Sequence, residues 1–197
     1  RIKRLLLIVV PLYVLFVTVV LWVRLPSYTI QTSGKLYIVN KLSRDIQVFD
    51  LHSGEEIADI PIDMQAHEII ATPDGNSLIV TDYGDRTSKG NLLKVIDSKT
   101  NKVERTITIS GSVNANGLLA MPKANTIGLV DYVSNNLSIL NLATESVEKR
   151  IPTKQKKSHL SVLHPSKSIA YITNMQSNSV SVIDLETDSV LKIIPCG

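Results

Sequence analysis

The chain has 197 residues, 44% hydrophobic and 20% charged, a balance that fits a globular protein and excludes an intrinsically disordered one. Its formal net charge of +3 is concentrated at one end, where Arg1, Lys3, Arg4 and Arg24 stand among the first 24 residues without an acid, leaving 17 bases against 18 acids in the rest. That body lacks the basic surplus of a nucleic-acid binder, and the single cysteine, Cys196, excludes an internal disulfide and a cysteine-ligated metal.

The first element in chain order is the uncharged run Leu5 to Val23. Nineteen residues at ~1.5 Å each span about 28 Å as a helix, close to the hydrocarbon core of a bilayer. Pro11 interrupts the run, which a membrane helix tolerates better than a soluble one. Trp22 and Tyr28 stand where interfacial aromatics belong, and the three bases before the run keep the N-terminus cytoplasmic. The expectation is a membrane anchor over 1–24, a spacer over 25–34, and a body exported across the membrane. A cleaved signal peptide followed by secretion is the alternative, but Arg24-Leu25-Pro26-Ser27-Tyr28 offers no small-x-small cleavage site.

From residue 35 onward one phrase recurs. A strand ending in a polar stop appears at Leu36–Asn40, Leu78–Asp82, Ile127–Asp131 and Ala170–Asn174, at intervals of 42, 49 and 43 residues. A second strand follows each: Ile46–Asp50, Leu93–Asp97, Leu137–Asn141 and Val180–Asp184. Its second position is always polar and its first, third and fourth always apolar, a largely buried β pattern. The stop residue and a Ser or Thr three positions later suit a side-chain-capped turn. A third strand opens at Ile57, Val103, Val147 and Val190, and in three units it closes near Ile-Pro, which fits an outer edge. A fourth lies between units at Glu68–Thr72, Gly117–Met121 and Leu160–His164. Four short antiparallel strands per ~43 residues make a β-propeller blade.

The phrase Tyr171-Ile172-Thr173-Asn174 followed by Val180-Ser181-Val182-Ile183-Asp184 resembles the YVTN-type repeat of YncE-like bacterial β-propellers. His67 with Ala71-Thr72-Pro73-Asp74-Gly75 is similar to that family's strand-opening pattern, although Glu68 and Leu160 replace the glycine expected after the histidine. The resemblance covers about residues 35–197 and implies an all-β, seven-bladed bacterial propeller; the anchor expected over 1–24 would place it at the bacterial inner membrane, facing the periplasm.

Labelling the between-unit strand A, the chain reads B-C-D over about 35–62, then A-B-C-D over about 66–109, 115–152 and 158–195. About 3.75 blades are present, and the count leads us to expect a truncated seven-bladed ring. A four-bladed propeller, the alternative, would still lack one strand and leave an exposed edge.

Alternation puts the D–A and B–C loops on one face, and the A–B and C–D turns, with His52 and His164, on the other. The second face reads as scaffold. On the first, the B–C step is six residues in three units but eleven in the second, adding a loop with Tyr83, Asp85, Arg86 and Lys89. The D–A loop before the last unit carries Lys154, Lys156 and Lys157. Loops on a rigid scaffold are where binding residues gather, so these are candidates for recognising a protein or a small polar or anionic ligand. His67, Asn116 and His159 occupy equivalent places at the start of innermost strands and are candidates for lining the channel. Their spacing is not that of a metal site, and a histidine hydrogen-bonded within its own blade is the simpler reading. Tyr132 and Tyr171 reach the same region but read as packing residues.

No nucleophile elbow, HExxH, phosphate loop or haem motif occurs. No cofactor, metal or catalytic residue is indicated. The expectation is a membrane-anchored binding or scaffolding module that contacts the membrane through 5–23 and does not bind nucleic acid. The alternatives are an enzyme of the lactonase or quinoprotein-dehydrogenase type completed by missing blades, and an envelope or surface-layer structural protein.

Overall fold

A computed structural model describes residues 32–111 and 114–197, together with 11, 13–15 and 17. Among these residues, fifteen strands form four antiparallel sheets, each a simple meander. The first sheet has three strands, β1 (Lys35–Asn40), β2 (Asp45–Asp50) and β3 (Glu56–Pro61). The second has β4 (Ala66–Ala71), β5 (Ser77–Asp82), β6 (Leu92–Asp97) and β7 (Lys102–Thr108). The third comprises β8 (Ala115–Ala120), β9 (Thr126–Asp131), β10 (Asn136–Asn141) and β11 (Ser146–Pro152). The fourth comprises β12 (Ser158–Leu163), β13 (Ile169–Asn174), β14 (Ser179–Asp184) and β15 (Ser189–Pro195). Three complete blades and a three-stranded one match the strand count read from the repeat.

The apolar runs of the second and third sheets are explained by burial on both faces. In β5, Leu78 and Val80 pack against Ile46, Val48 and Ile60 of the first sheet. Ile79, between them, packs on the other side with Leu129 and Leu140 of the third. The third sheet in turn sends Leu119, Val130, Leu137 and Ile139 against Ala170, Ile172 and Ile183 of the fourth. A strand sandwiched this way cannot alternate apolar and polar residues.

The polar stops behave as their side chains dictate. Asp50, Asp97, Asn141 and Asp184 each accept the backbone N–H groups two and three residues on, closing the four C–D turns. Along the opposite face, Ser138 donates to Asp131 at 2.8 Å, and Asn174 donates to the Ser181 hydroxyl at 2.9 Å. In the first, third and fourth sheets the polar second position of the C strand (Gln47, Ser138, Ser181) therefore ties B to C.

Among the described residues no helix is long and apolar enough to cross a membrane. Pro11, Tyr13, Val14, Leu15 and Val17 are helical, and the rest of the expected anchor, with Trp22 and Tyr28, lies outside the described residues.

Candidate functional site

The innermost strands β4, β8 and β12 share one irregularity. Pairing with the B strand shifts between Ala66 and Ile69, between Ala115 and Leu118, and between Ser158 and Ser161. The residues in each gap are His67-Glu68, Asn116-Gly117 and His159-Leu160. A bulge re-aims side chains, and here it turns the channel candidates out of the regular ladder. Gly117 is required in the middle copy because a Cβ there would run into the carbonyl of His159 in the next sheet.

The first residue after each B strand forms a second column. Its N–H reaches the carbonyl just before the A strand: Tyr83 to Gln65 at 2.7 Å, Tyr132 to Asn114 at 3.2 Å, and Met175 to Lys157 at 2.9 Å. Lys41 holds this place in the first sheet. The two columns meet. The rings of His67 and Tyr83 stack with centroids 5.2 Å apart and planes at 16°. His159 stands edge-on to His67 at 5.3 Å and to Tyr132 at 6.0 Å. The Lys41 ammonium lies 3.2 Å from the Tyr83 ring centroid, and that of Lys157 lies 4.3 Å from Tyr132.

The two histidines thus come together although their sheets are separated by a third, a convergence that spacing along the chain does not reveal. The Nδ1 of His67 is buried without a hydrogen-bond partner. Asn116 is fully buried, and neither its Oδ1 nor its Nδ2 has a partner. Burial, reinforced by the charges of His159 and Lys41, pushes His67 down to about 4. Burial also lowers His159 and Lys41. At neutral pH both imidazoles are therefore uncharged, and the positive charge at the mouth comes from the two lysines. Burial raises the pKa of Glu68, against the opposing effect of the Leu118 N–H that it accepts at 2.7 Å.

The long second loop is self-contained. Asp85 accepts Thr87 and Ser88 N–H groups and pairs with Arg44 at 3.0 Å, while Asp82 accepts Gly84 N–H and the Ser88 hydroxyl. Lys89 and Gly90 carbonyls take the N–H groups of Asn114 and Ala115, so the loop stitches the second sheet to the third. Of the candidates, His67, His159, Tyr83 and Lys157 assemble, with Asn116 at the equivalent inner position. Asp85 serves the loop, while Arg86, Lys89, Lys154 and Lys156 remain exposed. Lys41 and Tyr132 complete the cluster. The signal that finds them is the column Lys41, Tyr83, Tyr132, Met175, which aligning the B–C steps makes visible.

Chemically, the cluster offers flat aromatic faces, two ammonium groups and neutral imidazoles. Among the described residues no three His, Cys, Asp or Glu side chains gather as a metal would require. Open clefts lie elsewhere. One of about 500 Å³, lined by Met121, Leu163, His164, Lys167 and Leu185, and another of about 280 Å³, between Pro73, Arg105 and Leu142, occupy the face read as scaffold.

No family model and no curated protein matches the chain. Among solved structures it is similar to Kuenenia stuttgartiensis hydrazine synthase, with a TM-score of 0.70 and 16% identity over 81% of this chain and 45% of that one. It is similar also to U3-55K (0.69, 15%, 86% and 50%) and to the RRP9 WD40 repeats (0.68, 15%, 84% and 48%). The fold is that of a β-propeller. The chain spans about half the length of these structures.

Proposed function

We propose that this chain is a membrane-anchored, extracytoplasmic β-propeller of YVTN type that works as a binding module through its D–A and B–C loop face. The observation that carries the reading is the convergence of His67, Tyr83, Tyr132 and His159 at the centre of that face, with Lys41 and Lys157 over the tyrosines. Binding residues gather on the loops of a rigid scaffold, and it is here that the repeats differ from one another. Anchoring rests on the uncharged run Leu5 to Val23 and the bases before it.

Site-specific photo-crosslinking in the cell envelope tests the face. A crosslinker at Arg86 or Lys154 is expected to form defined adducts, and one at Lys167 on the opposite face is not. Adducts confined to Lys167 would place binding on the other side. Fractionation tests the anchor: the chain is expected in membranes after carbonate extraction, and recovery of a soluble form lacking residues 1–24 would defeat it.

A further inference from the structure

The described residues form four ion pairs: Arg44–Asp85, Arg105–Glu145, Lys123–Glu148 and Lys149–Asp188. Lys41 and Lys157 are not among them. Each lies instead over a tyrosine ring, at the centre of the face where the sheets converge. The nearby carboxylates are engaged otherwise: Glu68 accepts Leu118 N–H, Asp82 accepts Gly84 N–H and Ser88, and Asp131 accepts Ser138. The mouth therefore holds two positive charges without a carboxylate on either, beside the aromatic faces of Tyr83 and Tyr132. Below these rings the protein leaves hydrogen-bonding capacity unused, at His67 Nδ1 and at both polar atoms of the fully buried Asn116.

A purely apolar ligand would strand the ammonium that it displaces from a ring, and an inorganic anion would draw that ammonium away and leave the ring bare. We infer that the mouth binds a flat organic anion, a conjugated ring or chain bearing a carboxylate or phosphate. Because an ammonium already lies over each ring, the flat part takes the place of one of them on Tyr83 or Tyr132, and the anionic group pairs with the lysine it displaces while the other adds its charge to the mouth. This rests on the reading of the loop face as the binding face and adds the chemical class of the ligand.

The test titrates the full chain, in zwitterionic detergent, with five probes followed by calorimetry. Benzoate and phenyl phosphate are flat and anionic, cyclohexanecarboxylate is anionic but not flat, benzamide is flat but neutral, and inorganic phosphate is an anion alone. Binding is expected for benzoate or phenyl phosphate, and whichever binds more tightly separates carboxylate from phosphate. The other three are expected to bind at least tenfold more weakly. Lys41→Gln, Lys157→Gln and Tyr83→Leu should each weaken the better probe about tenfold, the loss of one good contact of about 1.4 kcal/mol. Lys167→Gln, on the opposite face, should not. Thermal midpoints within a few degrees of the parent would show that the variants are folded, and Lys41→Arg should retain binding. Equal binding of cyclohexanecarboxylate, no binding by either flat anion, or indifference to all three variants overturns the inference. If adducts at Arg86 persist while the flat anions fail to bind, the ligand class falls and the face reading stands.

Discussion

His67 and Asp131 are both displaced from ordinary titration, in opposite senses. His67 stays neutral in the fold down to about 4, whereas the unfolded imidazole takes its proton near 6.5. Its contribution to stability is therefore intact above pH 6.5 and lost as pH falls toward 4. Burial pushes Asp131 up to about 6, against its hydrogen bonds from Ser138 and Ser134 and the charge of Arg150. Its contribution is fully present below the unfolded value of about 3.8 and lost as pH rises through 6. We expect His67→Gln to flatten the loss of stability between pH 6.5 and 4, and Asp131→Asn to gain on the parent as pH rises from 4 to 7. Urea midpoints at half-unit steps of pH would check both. Neither shift could be foreseen from the residues alone. The repeat places His67 at the head of an inner strand and Asp131 at the end of a B strand, but how deeply each is buried depends on the neighbouring sheets.

At the scale of single elements, the strands and their capped turns were readable because each is local. An Asp or Asn followed by a Thr or Ser three residues later closes its turn whatever lies around it, and Asp97 and Asp184 do so alike. The eleven-residue step was recognisable only as an insertion. This candidate recognition loop is folded on itself. Gly84 and Gly90 both have positive φ, and a Cβ on either would lie 2.5–2.6 Å from the backbone of the other arm of the loop. This crossing is what lets Lys89 and Gly90 reach Asn114 and Ala115. Gly90→Ala should therefore cost more than the ~1–2 kcal/mol of a left-handed backbone alone. Amide exchange at Asn114 and Ala115 should accelerate along with that of the loop. Exchange accelerated only inside 83–91 would mean that the loop opens without loosening the seam.

Across the whole molecule, each sheet packs on its sequence neighbours, as in a quasi-one-dimensional array. The repeat revealed this order, but it did not reveal how sharply the inner strands converge, which is why Lys41 stood outside the candidates and Tyr132 read as a packing residue. Every seam is fastened in the same place. A cation from one sheet meets the fourth residue of the next C–D turn: Lys35 at Asn101, Arg105 at Glu145 and Lys149 at Asp188. Lys192, opposite Val182 as Arg105 is opposite Val95, holds that position in the fourth sheet and finds no acid among the described residues. The joints are in this sense interchangeable parts. A duplicate of residues 115–157 inserted ahead of Ser158 would present Lys149 to a second Glu145 and needs no new kind of contact. We expect such a lengthened chain to retain its β circular dichroism and cooperative unfolding. The mouth would not survive the same insertion, because one more sheet drives His67 and His159 apart from their 5.3 Å. Duplication would thus leave the architecture intact while dispersing the cluster at its centre, so repeat number itself decides which side chains meet there.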